Sequence, residues 1–222
     1  MRVFFDFDNT VTFGDVLNEM IERYSVCDDW IVLEKAWQSG EITTKECLAG
    51  QMKWIRISKQ ELNRYLKTVR IDPYFIKLVG LLREREIPSV IVSDNFEPII
   101  QLILEHNGIK DFGVYANHLR FYKDRVFPSF PYQNPDCTFC AHCKKVHFMN
   151  DEHSMEDPII YVGDGRSDIC ASKEADIVFA KDTLLRYRKK HDLPCIEFHD
   201  LSGVYEYLNK RTSHDLYRHT NL

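Results

Sequence analysis

The sequence predicts an α/β fold: a doubly wound parallel sheet, with a small all-helical insertion after the first strand. Three observations predict it. The chain opens on a short apolar run, residues 2–6, that ends in an acid. Apolar residues then recur at helical spacing as far as residue 70. From Pro73 onward, short β-rich runs alternate with amphipathic stretches, as strands joined by crossover helices do. Residues 1–13 and 71–210 are therefore expected to form the core. Residues 14–70 form a helical cap, and 211–222 a polar tail that frays.

In the cap, Leu17, Met20, Ile21 and Tyr24 fall at i, i+3, i+4 and i+7, the spacing of one helix face. Leu62, Tyr65, Leu66 and Val69 repeat it. Two more helices are expected near 28–39 and 43–54, after the capping residues Asp28 and Thr43. Trp30, Trp37 and Trp54 all lie here and suggest that the insertion has an aromatic core of its own. In the second part, Phe75, Leu78, Val79 and Leu82 mark a helix, and 88–93 a strand. A helix at 97–107 stops at Asn107-Gly108. Strands are predicted at 112–116, 118–122, 125–127, 159–162, 177–179 and 195–197. Helices are predicted at 167–174, 183–190 and 203–210.

Apolar residues make up 44% of the 222 and charged residues 28%, ordinary for a soluble protein. A net charge of -5 argues against a general nucleic-acid surface. No apolar run reaches the ~18 residues of a membrane span. The seven cysteines are an odd number with no export signal before them, which points to the reducing cytoplasm.

Ligands of such sheets bind beyond the carboxyl ends of the strands. Three expected strand ends carry polar clusters: Asp6-Phe7-Asp8-Asn9-Thr10, Ser93-Asp94-Asn95 and Gly163-Asp164-Gly165-Arg166-Ser167-Asp168. Carboxylates directly after a buried run are costly unless a cation or proton offsets them. Convergence of Asp6, Asp8, Asp164 and Asp168 suits a hard cation such as Mg²⁺.

These clusters resemble the motifs of haloacid dehalogenase-type phosphatases, and the resemblance spans nearly the whole chain. Asp6 to Thr10 is similar to the first motif, Ser93 to the second, Lys144 to the third, and Gly163 to Asp168 to the fourth. The helical insertion resembles the family's small cap. The resemblance implies that Asp6 attacks phosphorus and carries an aspartyl-phosphate, while Asp8 protonates the leaving oxygen and then activates water. It implies Mg²⁺ on the Asp6 carboxylate, the Asp8 carbonyl and the Asp164 carboxylate. Asp168 would be a further ligand or would orient bound water. Ser93 and Lys144 would bind phosphate oxygens, with Lys145 competing for the lysine's role. The implied substrate is a small phosphorylated metabolite. Phosphotransfer through the same intermediate, and a catalytically silent zinc-binding protein, are the alternative readings.

Cys137, Cys140 and Cys143 stand at Cys-x2-Cys-x2-Cys spacing, which suits a Zn²⁺ site completed by a residue such as His147 or a loop of buried thiols. A cysteine-rich loop before the lysine resembles one branch of the superfamily. That branch holds the 2-hydroxy-3-keto-5-methylthiopentenyl-1-phosphate phosphatases of methionine salvage and the phosphoethanolamine/phosphocholine and pyridoxal-phosphate phosphatases. Ser93-Asp94-Asn95 and Ser167-Asp168 depart from the phosphoserine phosphatase pattern. Asp15 and Asp94 are candidate contacts for a substrate amine, though Asp15 equally suits a helix cap. Arg56 is a candidate contact for a substrate carboxylate or second phosphate.

Overall fold

The computed structural model describes residues 1–149 and 157–211. The first strand, β1 (Arg2–Phe5), is followed by four helices: α1 (Val16–Tyr24), α2 (Asp29–Ser39), α3 (Thr44–Gln51) and α4 (Lys59–Leu66). Next come α5 (Pro73–Glu84), β2 (Ser89–Phe96), α6 (Glu97–His106) and the hairpin of β3 (Gly113–Tyr122) and β4 (Arg125–Ser129). A short α7 (Val146–Met149) precedes β5 (Ile159–Gly163), α8 (Asp168–Ser172), β6 (Ile177–Ala180), α9 (Asp182–Lys190), β7 (Ile196–Glu197) and α10 (Leu201–Asn209). The strands form a 7-stranded sheet in the order β4-β3-β2-β1-β5-β6-β7. All pairings are parallel except β3 with β4.

β1 is central because it has a parallel neighbour on each side, and all four of its residues are buried. A strand covered on both faces reads as a continuous apolar run, which is why it was legible. Phe5 meets Phe75 of α5 edge-on with ring centroids 5.4 Å apart. Burial of each such ring contributes roughly 1.5–3 kcal/mol. The helix starts follow local chemistry. Thr43 with Glu46 and Ser58 with Glu61 form capping boxes, and Asp72 caps α5 ahead of Pro73 at its first turn.

The fold differs from expectation in two places. Residues 113–122 are one strand, which pairs parallel with β2 in its first half and antiparallel with β4 in its second. A change of partner along a strand leaves no break in the apolar pattern to read. The three tryptophans are only half-buried, so they form no core. Leu17, Met20, Met52, Ile55 and Leu66 are buried in their place, in one cluster with Phe5 and Phe75. The helical segment thus shares the main core. The expected tail lies outside the described residues beyond Arg211. No helix among the described residues is long and apolar enough to cross a membrane.

Candidate active site

Sheet register brings the polar clusters together. Phe5 stands opposite Ile91 of β2 and Val162 of β5, so Asp6, Ser93 and Asp164 all follow at the same sheet edge. The Asp6 amide donates to the Val162 carbonyl at 2.8 Å and fixes the chain as it leaves the sheet. Asn9 then turns with a φ of 57°, a left-handed conformation that asparagine tolerates, and its side chain donates to Asp164 at 2.9 Å.

Asp6 is 5% exposed and its Oδ1 accepts from Lys144 Nζ at 2.6 Å. Its Oδ2 has no hydrogen-bond partner among the described residues. The ammonium also donates to Asp168 Oδ1 at 2.5 Å and to Ser167 Oγ at 3.0 Å. Lys145 points elsewhere, half-exposed, 3.9 Å from Glu174. Asp168 is fully buried. Its Oδ1 accepts from Tyr161 as well, at 2.6 Å, and its Oδ2 from the amides of Asp164 and Gly165 at 2.9 and 2.8 Å. An ionised carboxylate has about four lone-pair sites, and here all are taken. In this arrangement Asp168 fixes Lys144 and the loop after β5, and its carboxylate stays within the acidic cluster of Asp6 and Asp164. Gly163 permits this, since a Cβ there would lie 2.6 Å from Asp168 Oδ2.

The Asp8 carboxylate sits at the start of α1. Its Oδ1 accepts from the amides of Val16 and Leu17 at 2.9 and 3.3 Å, and Asn95 donates to its Oδ2 at 2.8 Å. Asp164 accepts from Asn9 at 2.9 Å and Thr10 at 3.1 Å. Ser93 is buried, and its Oγ accepts from the Asn95 amide at 3.1 Å.

A cavity of about 450 Å³ opens over these groups. Asp6, Asp8, Ser93 and Asp164 line its floor, and Asp15, Glu34, Trp37 and Gln51 of the helical segment line its roof. Arg166 donates to the Trp37 carbonyl at 3.0 Å and lies over the Trp37 ring, which clasps roof to floor. Arg56 does not line the cavity. Its guanidinium satisfies the carbonyls of Lys53 and Ile55, which corrects its expected role in substrate binding. Asp94 lines the cavity but is committed to structure, accepting from the amides of Ala141 and His142 at 3.0 and 2.8 Å. Asp15 lines it too and caps α1 through the Asn18 amide at 2.8 Å. Because asparagine caps a helix nearly as well, Asp15→Asn is expected to leave the melting temperature unchanged. Asp15→Ala is expected to cost about 1 kcal/mol in a denaturant titration.

A family model described as Putative Phosphatase matches residues 1–192. The chain belongs to that family. It is 28% identical over 202 residues to a 2-hydroxy-3-keto-5-methylthiopentenyl-1-phosphate phosphatase of Bacillus velezensis, covering 90% of this chain and 86% of that one. It is 25% identical over 176 residues to phosphoserine phosphatase of Bos taurus, covering 78% of each. Its fold is similar to that of a substrate-bound phosphoserine phosphatase. There the TM-score is 0.69 at 20% identity, over 92% of this chain and 96% of that one. These likenesses place the Putative Phosphatase chain in the haloacid dehalogenase superfamily, as a phosphoric monoester hydrolase.

The electrostatics of this phosphatase site call for positive charge. Asp6, Asp164 and Asp168 bring oxygens within 4.8 Å of one another, with one buried ammonium among them. Burial pushes Asp6 well up, and Asp168 adds to it, while Lys144 opposes both. Burial and then Asp168 push Asp164 up to about 6. Burial alone would lower Lys144, but Asp168 and Asp6 override it and hold the ammonium charged. Oxygens of Asp6 and Asp164 thus fit a hard divalent cation. No comparable zinc set forms: among the described residues, Cys137, Cys140 and Cys143 do not gather as three mutually adjacent ligands. His147 Nε2 instead meets His142 Nε2 at 2.8 Å.

Several functional residues went unread in the sequence. Asn9, Thr10, Asn95 and Ser167 lay inside the quoted clusters, but nothing in their spacing assigned partners. Tyr161 reads as core, and only its contact with Asp168 shows otherwise. Glu34 and Gln51 carry no signal of their own. They reach the cavity because α2 and α3 fold over it.

Proposed function

We propose that this phosphatase hydrolyses a small phosphomonoester by passing the phosphoryl group to Asp6 and then to water. The observation that carries this is Asp6 itself: one oxygen is pinned by Lys144, and the other has no hydrogen-bond partner among the described residues and lies at a cavity floor. Pinning holds the nucleophile in an attack geometry and removes the entropy cost of finding it. Ser93 and Lys144 bind the phosphoryl oxygens. Burial, and secondly the Asp15 carboxylate, push Asp8 well above the ordinary carboxylate range. This shift favours the protonated form of Asp8, the form that donates to the leaving alkoxide. The ionised form is then held by Asn95 and two α1 amides while it accepts a proton from water.

Mg²⁺ would be held by the Asp6 carboxylate, the Asp8 main-chain carbonyl and the Asp164 carboxylate. When bound it offsets the repulsion between an anionic nucleophile and an anionic phosphate. Asp168 orients that set through the Asp164 amide and Lys144. The cavity roof favours a substrate with a cationic group, since Asp15 and Glu34 both face it. Phosphate release from a panel of phosphorylated metabolites, with Mg²⁺ and with EDTA, tests this reading. Turnover is expected only with the metal. Equal rates in EDTA, or no release from any phosphomonoester, would contradict it.

The pH dependence follows from Asp164. Its folded pKa of about 6 lies above its ordinary value of 3.8. The folded protein therefore holds a proton that the unfolded chain has lost between these values. Metal-free stability from this group falls as pH rises through that window and is flat above it. Within that window and below it, the proton competes with the cation. Mg²⁺ is expected to raise the melting temperature by several degrees near pH 7.5, and by much less near pH 5, in paired melting curves.

A further inference from the structure

Cys137 and Cys140 lie outside the machinery above, and their sulfurs are 3.3 Å apart. A disulfide needs about 2.05 Å, so closure takes side-chain rotation and about 1 Å of loop movement. Cys137 is 8% exposed, between exposed Asp136 and Thr138, whereas Cys140 is 2% exposed. A small oxidant entering from solvent therefore meets Cys137 first. The pair is mechanically tied to the active site. The amides of Ala141 and His142, directly after Cys140, are held by Asp94 beside Ser93. Lys144, four residues on, holds Asp6. Thr44 of α3 donates to the Phe139 carbonyl at 3.0 Å, so the roof rests on the same loop.

We propose that Cys137 and Cys140 form a reversible dithiol–disulfide site, oxidised by a peroxide, that controls the position of Lys144. Cys137 is the attacking sulfur. Hydrogen bonds from Cys140 and then Cys170 hold its thiol far below the ordinary range, and the partly exposed Lys145 lies close enough to feel the charge. The Cys137 thiolate attacks one peroxide oxygen, and the O–O bond breaks to give a sulfenic acid and hydroxide, which takes a proton to become water. The Cys140 sulfur then attacks Cys137, the S–O bond breaks, and the hydroxyl leaves with the Cys140 proton as a second water. The two sulfurs lose two electrons and the peroxide gains them. Closure draws the segment 139–141 away from Asp94 and drags Lys144 off Asp6. The effect on rate rests on the proposed role of Lys144, whereas the thiol chemistry does not.

The test treats the full chain with hydrogen peroxide, alkylates the remaining thiols, and reads crosslinks by peptide mass. Phosphate release from p-nitrophenyl phosphate with Mg²⁺ is followed in parallel. A Cys137–Cys140 crosslink is expected, with a loss of rate of about tenfold or more. Dithiothreitol is expected to reverse both. Cys140→Ser is expected to keep the untreated rate and to lose the reversible inhibition. The proposal is overturned if Cys137 pairs with another cysteine, if the crosslink forms with no change in rate, or if Cys140→Ser is inhibited like wild type. A reduced wild type without activity would count against the phosphatase reading, and the crosslink would still report on the thiols.

Discussion

Replacing Asp6 by asparagine is expected to lower kcat by about 10⁴-fold or more, with the fold intact. An amide is a poor nucleophile at phosphorus, and it removes a charged oxygen from the set that fits the cation. The fold survives because the amide oxygen still accepts from Lys144, while the repulsion that Asp6 feels from Asp168 and Asp164 is gone. Metal-free stability is therefore expected to stay within about 1 kcal/mol of wild type. The rise in melting temperature on adding Mg²⁺ should shrink. Single-turnover phosphate release and paired melting curves measure both. A variant that has lost stability as well as rate would leave the nucleophile unassigned.

Lys144→Met is expected to damage stability and rate together, unlike Asp6→Asn. Removing a buried partner leaves charges uncompensated, which costs about 3–5 kcal/mol. Here it strands Asp168, fully buried, and Asp6. The loss of rate is expected to be about 10³-fold, since the same ammonium pins the nucleophile and faces the phosphate. The sign of the pH effect separates the cause. The Lys144 pKa is raised, so its stabilisation is fully present below the ordinary lysine value and lost only as pH climbs through its higher folded value. Wild type thus keeps the pair throughout the neutral range. In the variant, Asp6, already pushed up by burial, loses the lysine that opposed the shift and takes up a proton more readily as pH falls, so the gap in melting temperature should narrow from about pH 8 to pH 5. Lys145→Met, at the surface against Glu174, is expected to retain the wild-type rate within about twofold.

What could be read from the sequence was what local chemistry dictates. A buried apolar run ending in Asp6, and a second ending at Gly163-Asp164, identify strand ends, and the parallel register of β1 with β5 then places both acids together. The choice between Lys144 and Lys145 was not legible, because both follow the same loop and only its path across α8 turns one inward. Asp94 was read as a substrate contact on its position after Ser93. It lines the cavity, but its bonds to the amides of Ala141 and His142, 47 and 48 residues away, could not be read locally. Arg56 was read as facing the site on its position in the helical segment, but nearby carbonyls compete for its guanidinium and win. The tryptophans misled for a related reason. Aromatic residues clustered in sequence share an element's neighbourhood, but burial is decided by which helix face meets the sheet.

The most direct measurement is acid quenching of Asp8→Asn during reaction with p-nitrophenyl phosphate and Mg²⁺, followed by peptide mapping. That substrate's leaving group departs without a protein acid, whereas activation of water still needs Asp8. The phosphoryl group should therefore accumulate on the peptide carrying Asp6 and be released by hydroxylamine. A phosphorylated residue other than Asp6, or product formed at the wild-type rate with no phosphorylated peptide, would contradict the account.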